Sequence, residues 1–508
     1  MNIWQDLVKA AVVGSQRQEL KIIPQDNQLG EILSHLDSND KEGSLLAAAG
    51  VISQYHKAGK LLAIDNKATL NNCELDDFPY CNQLSEQHLE MMLNGEYNAI
   101  LPEWLKLVAS AGKVVSPRYL PDLLTLGKRD NNLLKYILPV LGKRGIWLAE
   151  QNPDWNYVIA KDSDKIWKSG SHEARKNLLK ELRQSQAEKG RAQLQKIWSK
   201  QKAQERASFL SVLEFGLSIE DESFLEDALD DKSKQVRDIA ARLLAHIPES
   251  KLVKRMIERV RPLLNLDKNG IEVILPKKCT LEMTQDGIDE SKYIPSLGEK
   301  ASLLLQMLSS IPPNIWSNDW GKTPDELIKI VEDTKWERLF LEAWVTATIR
   351  SKDTEWAQAL LKVSVKLYRY LRNVDELIKN LLQVLSYFQV QSLIFNVLQQ
   401  FPDTPFHSAN PAFPLLINNN YLWDKKISQA VISSIKNTLE NNQKVNNWQF
   451  SSALAKFSLH MEPSIYHHTA ETLSFEVLEN VNKSVMEAID EFLAILQFRF
   501  EIREAIEN

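Results

Sequence analysis

The chain has 508 residues, 44% hydrophobic and 25% charged, which is globular composition with ample apolar material for a large core. Its formal charge is −6, with only three cysteines and 17 glycines. Those numbers argue against a disulfide framework, against a chain built to coat nucleic acid over its whole length, and against folds made of tight glycine turns.

The N-terminal "WQDLVKAAVVGSQR" lacks the basic start and long apolar run of a signal peptide, and no apolar stretch approaches the ~20 residues of a membrane span. A cytoplasmic protein is expected. From Leu29 to Gly59 a helix, a polar turn and an alanine-rich helix follow one another. Cys73 and Cys81 lie eight apart with His88 beyond, without the CxxC pairs a structural zinc site favours. From Pro117 to Gln151 the helix–turn–helix outline returns, with Leu133, Leu134, Ile137, Leu138 and Leu141 as its second apolar stripe.

Charge is distributed unevenly. Lys161–Arg206 holds 13 Lys/Arg against 6 Asp/Glu, whereas Ala470–Asn508 holds 3 against 9. Both are expected to be solvated helix faces, with a charge-steered interface as the alternative. Between them, "SFLEDALDDKSKQVRDIAARLLAHIPES" (Ser223–Ser250) carries the clearest pattern. Val236, Ile239, Ala240, Leu243, Leu244 and Ile247 form one apolar stripe, Pro248 ends the helix, and Ser250 can cap the next. Asp230 or Asp231 in the turn and Val236-Arg237 early in the second helix resemble a HEAT repeat, in which Arg237 would bond Asp or backbone groups of a neighbouring turn.

Farther along, "IEVIL" and "CTLEM" alternate and "QDG" has turn chemistry, so a small β-hairpin insertion is expected near 270–289. Further helix pairs are expected over Lys335–Ser364 and Val374–Phe401. The four-proline stretch Phe401–Pro414 is expected to be an irregular loop. His460, His467 and His468 cluster, with Glu462 near, and are read first as helix-terminus histidines. Glu471–Ile506 reads as one long acidic helix or two. The expected fold is therefore mainly α: an irregular HEAT-like α-solenoid, with helical regions 1–265 and 296–508 around an insertion at 266–295.

No GxxxxGK[ST], GxGxxG after a strand, HExxH or GxSxG occurs, so no catalytic residue, cofactor or metal site is expected. The 13 tryptophans are read mainly as fillers between stacked helices. Arg144, Trp147, Asn152 and Trp155, together with Asp286 in the expected hairpin turn, are the candidate partner contacts, because each stands in a loop-like or element-terminal stretch.

Four ordered blocks carry a family resemblance: Trp4–Arg17, Gly142–Trp155, Arg206–Ser250, and Val273–Ile288 followed by "LGEKASLLLQML" and "IPPNIW". They resemble an uncharacterised bacterial helical family encoded beside MoxR-type AAA+ ATPases, von Willebrand A-domain proteins and SWIM zinc-finger proteins. The resemblance implies a HEAT-like protein of unknown activity working with an ATPase and an A-domain partner, and it supplies no catalytic residues. A non-enzymatic scaffold or adaptor is the leading expectation, and a nucleic-acid binder using the basic segment 161–206 is the alternative.

Overall fold

A computed structural model describes residues 3–15, 17–18, 28–37, 39–58, 72–158, 163–402, 404, 406–407, 410–440, 447–474 and 481–507. The chain is mainly α-helical with one two-stranded antiparallel sheet, and it divides into the units Met1–Asn72 and Cys73–Asn508. In the first, helices Ile3–Val13, Gln28–Ser34 and Lys41–Ala58 enclose a small core of Leu7, Leu29, Leu33, Ala48 and Ile52.

The second unit stacks helices in pairs. Glu222–Ala228, Lys234–Leu244 and Lys251–Val260 follow the expected order, and Ser250 caps the third through Val253 N–H at 3.2 Å. Ser233 stands at the N-cap of the second helix but its hydroxyl makes no capping bond; Asp231 accepts Ser233 N–H instead, at 2.8 Å. Arg237 donates to the carbonyl of Asp231 in its own turn at 2.7 Å, while Arg206 from helix Ala203–Ser211 grips both Asp231 oxygens. The layer-to-layer tie therefore comes from Arg206, with Arg237 closing the turn.

The hairpin is real but displaced. Strand β1 (Leu264–Asp267) pairs with β2 (Gly270–Val273), so "IEV" is the second strand and its partner lies upstream. Gly270, at φ +122°, follows the two-residue turn. "CTLEM" is not a strand. Leu281–Gln285 is a short helix capped by Thr280. Five residues cannot distinguish alternation from one helical turn, and only Met283 of the set is buried. Asp286 accordingly ends a helix rather than a hairpin.

One apolar core runs from Leu179 through the hairpin to Leu496. Tryptophans fill it: Trp316, Trp344, Trp356 and Trp423 are almost fully buried, and the Trp344 and Trp356 rings lie 4.8 Å apart. The proline-rich stretch is helical from Ala412, which puts Pro414 in a first turn where its missing N–H costs nothing; residues 403, 405 and 408–409 of it lie outside the described residues. The acidic C-terminal segment is the 25-residue helix Lys483–Glu507 preceded by Tyr466–Thr472, with residues 475–480 outside the described residues.

That last helix has two duties. Val485, Ile489, Phe492 and Leu496 complete the long core, while Phe498, Ile502 and Ile506 enter a second core built by residues 81–149. The end of the unit thus packs on its beginning. Asn82 and Ser85 donate to the carbonyl of Ala505, and Lys113 donates to that of Ile506, satisfying the acceptors a helix C-terminus leaves open.

Candidate functional site

The five expected contact residues fall in two places. Arg144 and Trp147 lie on helix Gly142–Gln151, Asn152 ends it, and Trp155 stands in the following turn and packs on the second core. Arg144 N–H and Asp154 N–H are held by Asp76 and Asn152 carboxylate and amide oxygens, so these residues staple local structure. Asp286 is elsewhere. Its buried carboxylate is gripped by Arg255 and Arg259, each at 2.6 Å.

Three arginines of the basic segment are held by carboxylates. The Arg183 side chain is fully buried, chelates both oxygens of Asp221 at 2.6 and 3.0 Å, and donates to the carbonyls of Phe215, Ala187 and Gly216. Arg191 reaches the same Asp221 at 3.0 Å, and Arg206 holds Asp231. Lys161 lies outside the described residues. The histidines also separate: His460 stacks near Trp423, His467 meets Phe500 edge-on, and His88 meets Phe498 edge-on. Burial pushes the Cys81 thiol up to about 11, which keeps it protonated at neutral pH.

The strongest site includes one expected contact, Asp286, and is otherwise built from residues outside that set. A cavity of about 400 Å³ opens between helix Lys234–Leu244, the 286–288 loop, helix Glu299–Leu308 and helix Glu337–Ser351. Ile239, Ala241, Ala245, Ile288 and Leu305 form its apolar wall. Gly287, at φ +87°, comes so close to Ala241 that an added Cβ would stand 2.5 Å from the Ala241 Cβ. Gln306 pins the loop in place by accepting Asp289 N–H at 2.9 Å and donating to the Asp289 carbonyl at 3.0 Å.

Its charged groups are Asp238, Arg242, Asp286, Lys292, Glu342 and Arg350. Five of them face an opposite charge. Asp286 has Arg255 and Arg259, Lys292 stands 3.9 Å from Asp238, Arg242 is 3.3 Å from Glu214, and Glu342 is 3.6 Å from Arg338. Arg350 has no carboxylate among the described residues. Its Nη1 donates to the carbonyl of Ser309 at 2.8 Å and lies 3.4 Å from the hydroxyl of Ser310. Desolvation, and then the neighbouring Arg242 charge, pull its pKa down to about 10. Glu342 is the opposite case: burial raises its pKa, and its Oε2 is buried without a hydrogen bond because 3.6 Å is too long for one.

Glu342, Thr346 and Arg350 are spaced by four and so line one face of a helix whose other faces are almost wholly buried. Three polar residues in register on such a helix were the available sequence signal. The hydroxyls in the cavity are engaged on their own helices: Ser309 donates to Leu305 O, Ser310 to Gln306 O and Thr346 to Glu342 O. The arrangement can hold a ligand, with the Arg350 guanidinium as its unpaired charge.

These features define a mainly α-helical protein of paired, ion-tied helices with a charged recess on three of them. A family model described as "Family of unknown function (DUF5691)" matches residues 6–506, and the chain belongs to that family. No curated protein matches the chain.

Proposed function

We propose that the chain is a non-enzymatic helical scaffold that docks protein partners through the Arg350 cavity and the helix faces around it. The observation that carries this reading is the contrast within the site. The frame is fixed by ion pairs between successive layers, Arg206–Asp231, Arg255–Asp286 and Arg261–Asp319, while Arg350, alone of the cavity's charged groups, has no counter-charge among the described residues. A pre-organised frame with one unmet charge suits recognition, because little ordering cost remains when a partner binds.

The family resemblance supplies the candidate partners, a MoxR-type AAA+ ATPase and a von Willebrand A-domain protein. The second reading, nucleic-acid binding along 161–206, is weakened because Arg183, Arg191 and Arg206 are already committed to carboxylates. The test is reconstitution. The purified chain is mixed with the purified ATPase and A-domain protein encoded nearest to it and run on a sizing column at physiological salt. A stoichiometric complex is expected. Separate elution from both partners overturns their assignment. Substrate turnover by the chain alone, abolished by one substitution that leaves the fold intact, overturns the scaffold reading.

A further inference from the structure

We infer that the Arg350 cavity is a receptor for a single carboxylate, supplied by an acidic side chain or the C-terminus of a partner polypeptide. The polypeptide source rests on the scaffold reading; the carboxylate specificity rests on the cavity alone.

Three observations converge. First, Arg350 Nη1 is occupied by the Ser309 carbonyl, and its Nε and Nη2 make no hydrogen bond to the described residues. Those two N–H groups are the edge of a guanidinium that matches both oxygens of a carboxylate in a two-bond fork. Second, the nearest charge is Arg242, of the same sign, and an anion bound between them relieves that repulsion. Third, the volume of about 400 Å³ lies within the range of ligand cavities, and its apolar wall of Ile239, Ala245, Ile288 and Leu305 accommodates a short aliphatic stem behind a charged head.

Charge sets the class of anion. Asp238, Asp286 and Glu342 also line the cavity, so it carries one uncompensated positive charge rather than a cationic field. A carboxylate matches that single charge. A phosphate dianion would face three carboxylates with one unpaired guanidinium, Arg350, to hold it, since Arg242 is paired with Glu214.

Saturation-transfer NMR on the full-length chain tests this at constant ionic strength. The probes are a blocked glutamyl dipeptide, its glutaminyl counterpart, acetate and inorganic phosphate. The glutamyl peptide is expected to bind at least about tenfold more tightly than the glutaminyl one, consistent with a site built around one charged hydrogen-bond pair. Arg350→Gln, checked for retained helicity by circular dichroism, should lose at least about tenfold in affinity, and Arg350→Lys, which keeps charge without the fork, should fall between. The Lys variant carries the test if the Gln variant does not fold. Equal binding of the two peptides, undiminished binding by the Arg350 variants, or displacement by phosphate at a lower concentration than by acetate overturns the carboxylate receptor. Arg350-dependent binding of acetate without peptide binding upholds the receptor and overturns the polypeptide source, leaving the scaffold reading to the reconstitution.

Discussion

Arg499 and Glu103, 396 positions apart, form a two-bond ion pair: Nε and Nη2 of a fully buried guanidinium meet the two carboxylate oxygens at 2.6 and 3.0 Å. Arg499 Nη1 also donates to the carbonyls of Ser458 and Met461, and Arg503 joins Glu103 to Glu462. This cluster fastens the last helix to both the block at 81–149 and the C-terminal end of helix Asn447–His460. Removing one partner of such a pair strands the other charge, so Arg499→Ala is expected to cost about 3–5 kcal/mol. Urea unfolding checks it, and a double-mutant cycle with Glu103→Ala should show coupling. Additive single effects would mean that the pair does not hold the closure.

The same logic applies to Asp221, whose fully buried side chain faces Arg183 and Arg191. Room for Arg183 is made by two glycines: a Cβ at Gly190 would stand 2.9 Å from its Cδ, and one at Gly216 would stand 2.3 Å from its carbonyl oxygen. Asp221→Asn keeps the shape and removes the charge. The loss expected from a broken buried pair is about 3–5 kcal/mol, read as a fall in the urea midpoint with unchanged slope. A variant within about 0.5 kcal/mol of the parent would show that the six carbonyl and carboxylate contacts of Arg183 are redundant.

The pattern of the chain revealed its helix pairs because period-3.6 stripes such as Val236–Ile247 are local and unambiguous. Ser250 as a cap and the tryptophans as fillers follow from local chemistry as well. Long-range features left no such trace. Nothing local in "FRFEIREAIEN" says that Arg499 meets Glu103, and a buried arginine has the same letter as a solvated one. In the basic segment, charge counted along the sequence does not show that Arg183, Arg191 and Arg206 are folded against carboxylates. Asp286 was singled out for its turn chemistry, yet its carboxylate is a structural anchor. Arg350 was missed because its meaning depends on what three separate helices fail to place beside it.

Gly287 sets the shape of the cavity's loop wall. Its φ of +87° disfavours any residue with a Cβ, and that Cβ would collide with Ala241. Gly287→Ala should cost about 1–3 kcal/mol and push the loop off the helix. Adding Ala241→Gly removes the collision and leaves the backbone strain, so it should restore part of the loss after its own helix cost of about 1 kcal/mol is counted. Thermal unfolding of the four chains separates the two terms. No rescue by Ala241→Gly would show that the approach of the two backbones is not limiting.

His246 gives the fold a pH dependence. Its Nδ1 donates to the carbonyl of Arg242 at 2.7 Å. Burial is the main force lowering its pKa; the Arg242 bond works the other way, Arg350 and Arg242 lower it further by repulsion, and Glu214 opposes them. His88 and His460 are lowered too, each chiefly by burial. The sign follows from proton binding. The unfolded chain takes up protons near pH 6.5 that the folded histidines refuse, so stability is complete above about pH 6.5 and falls as the pH drops below it. Each refused proton steepens that fall by about 1.4 kcal/mol per pH unit. His246→Asn retains a side-chain donor for the Arg242 carbonyl and cannot be protonated. It should unfold with a shallower dependence than the parent between about pH 6.5 and 5.5, leaving the contributions of His88 and His460. Urea midpoints at several pH values measure both slopes. Identical slopes in the two chains would show that His246 takes up its proton as readily folded as unfolded, and that the guanidinium charges beside it are screened by solvent.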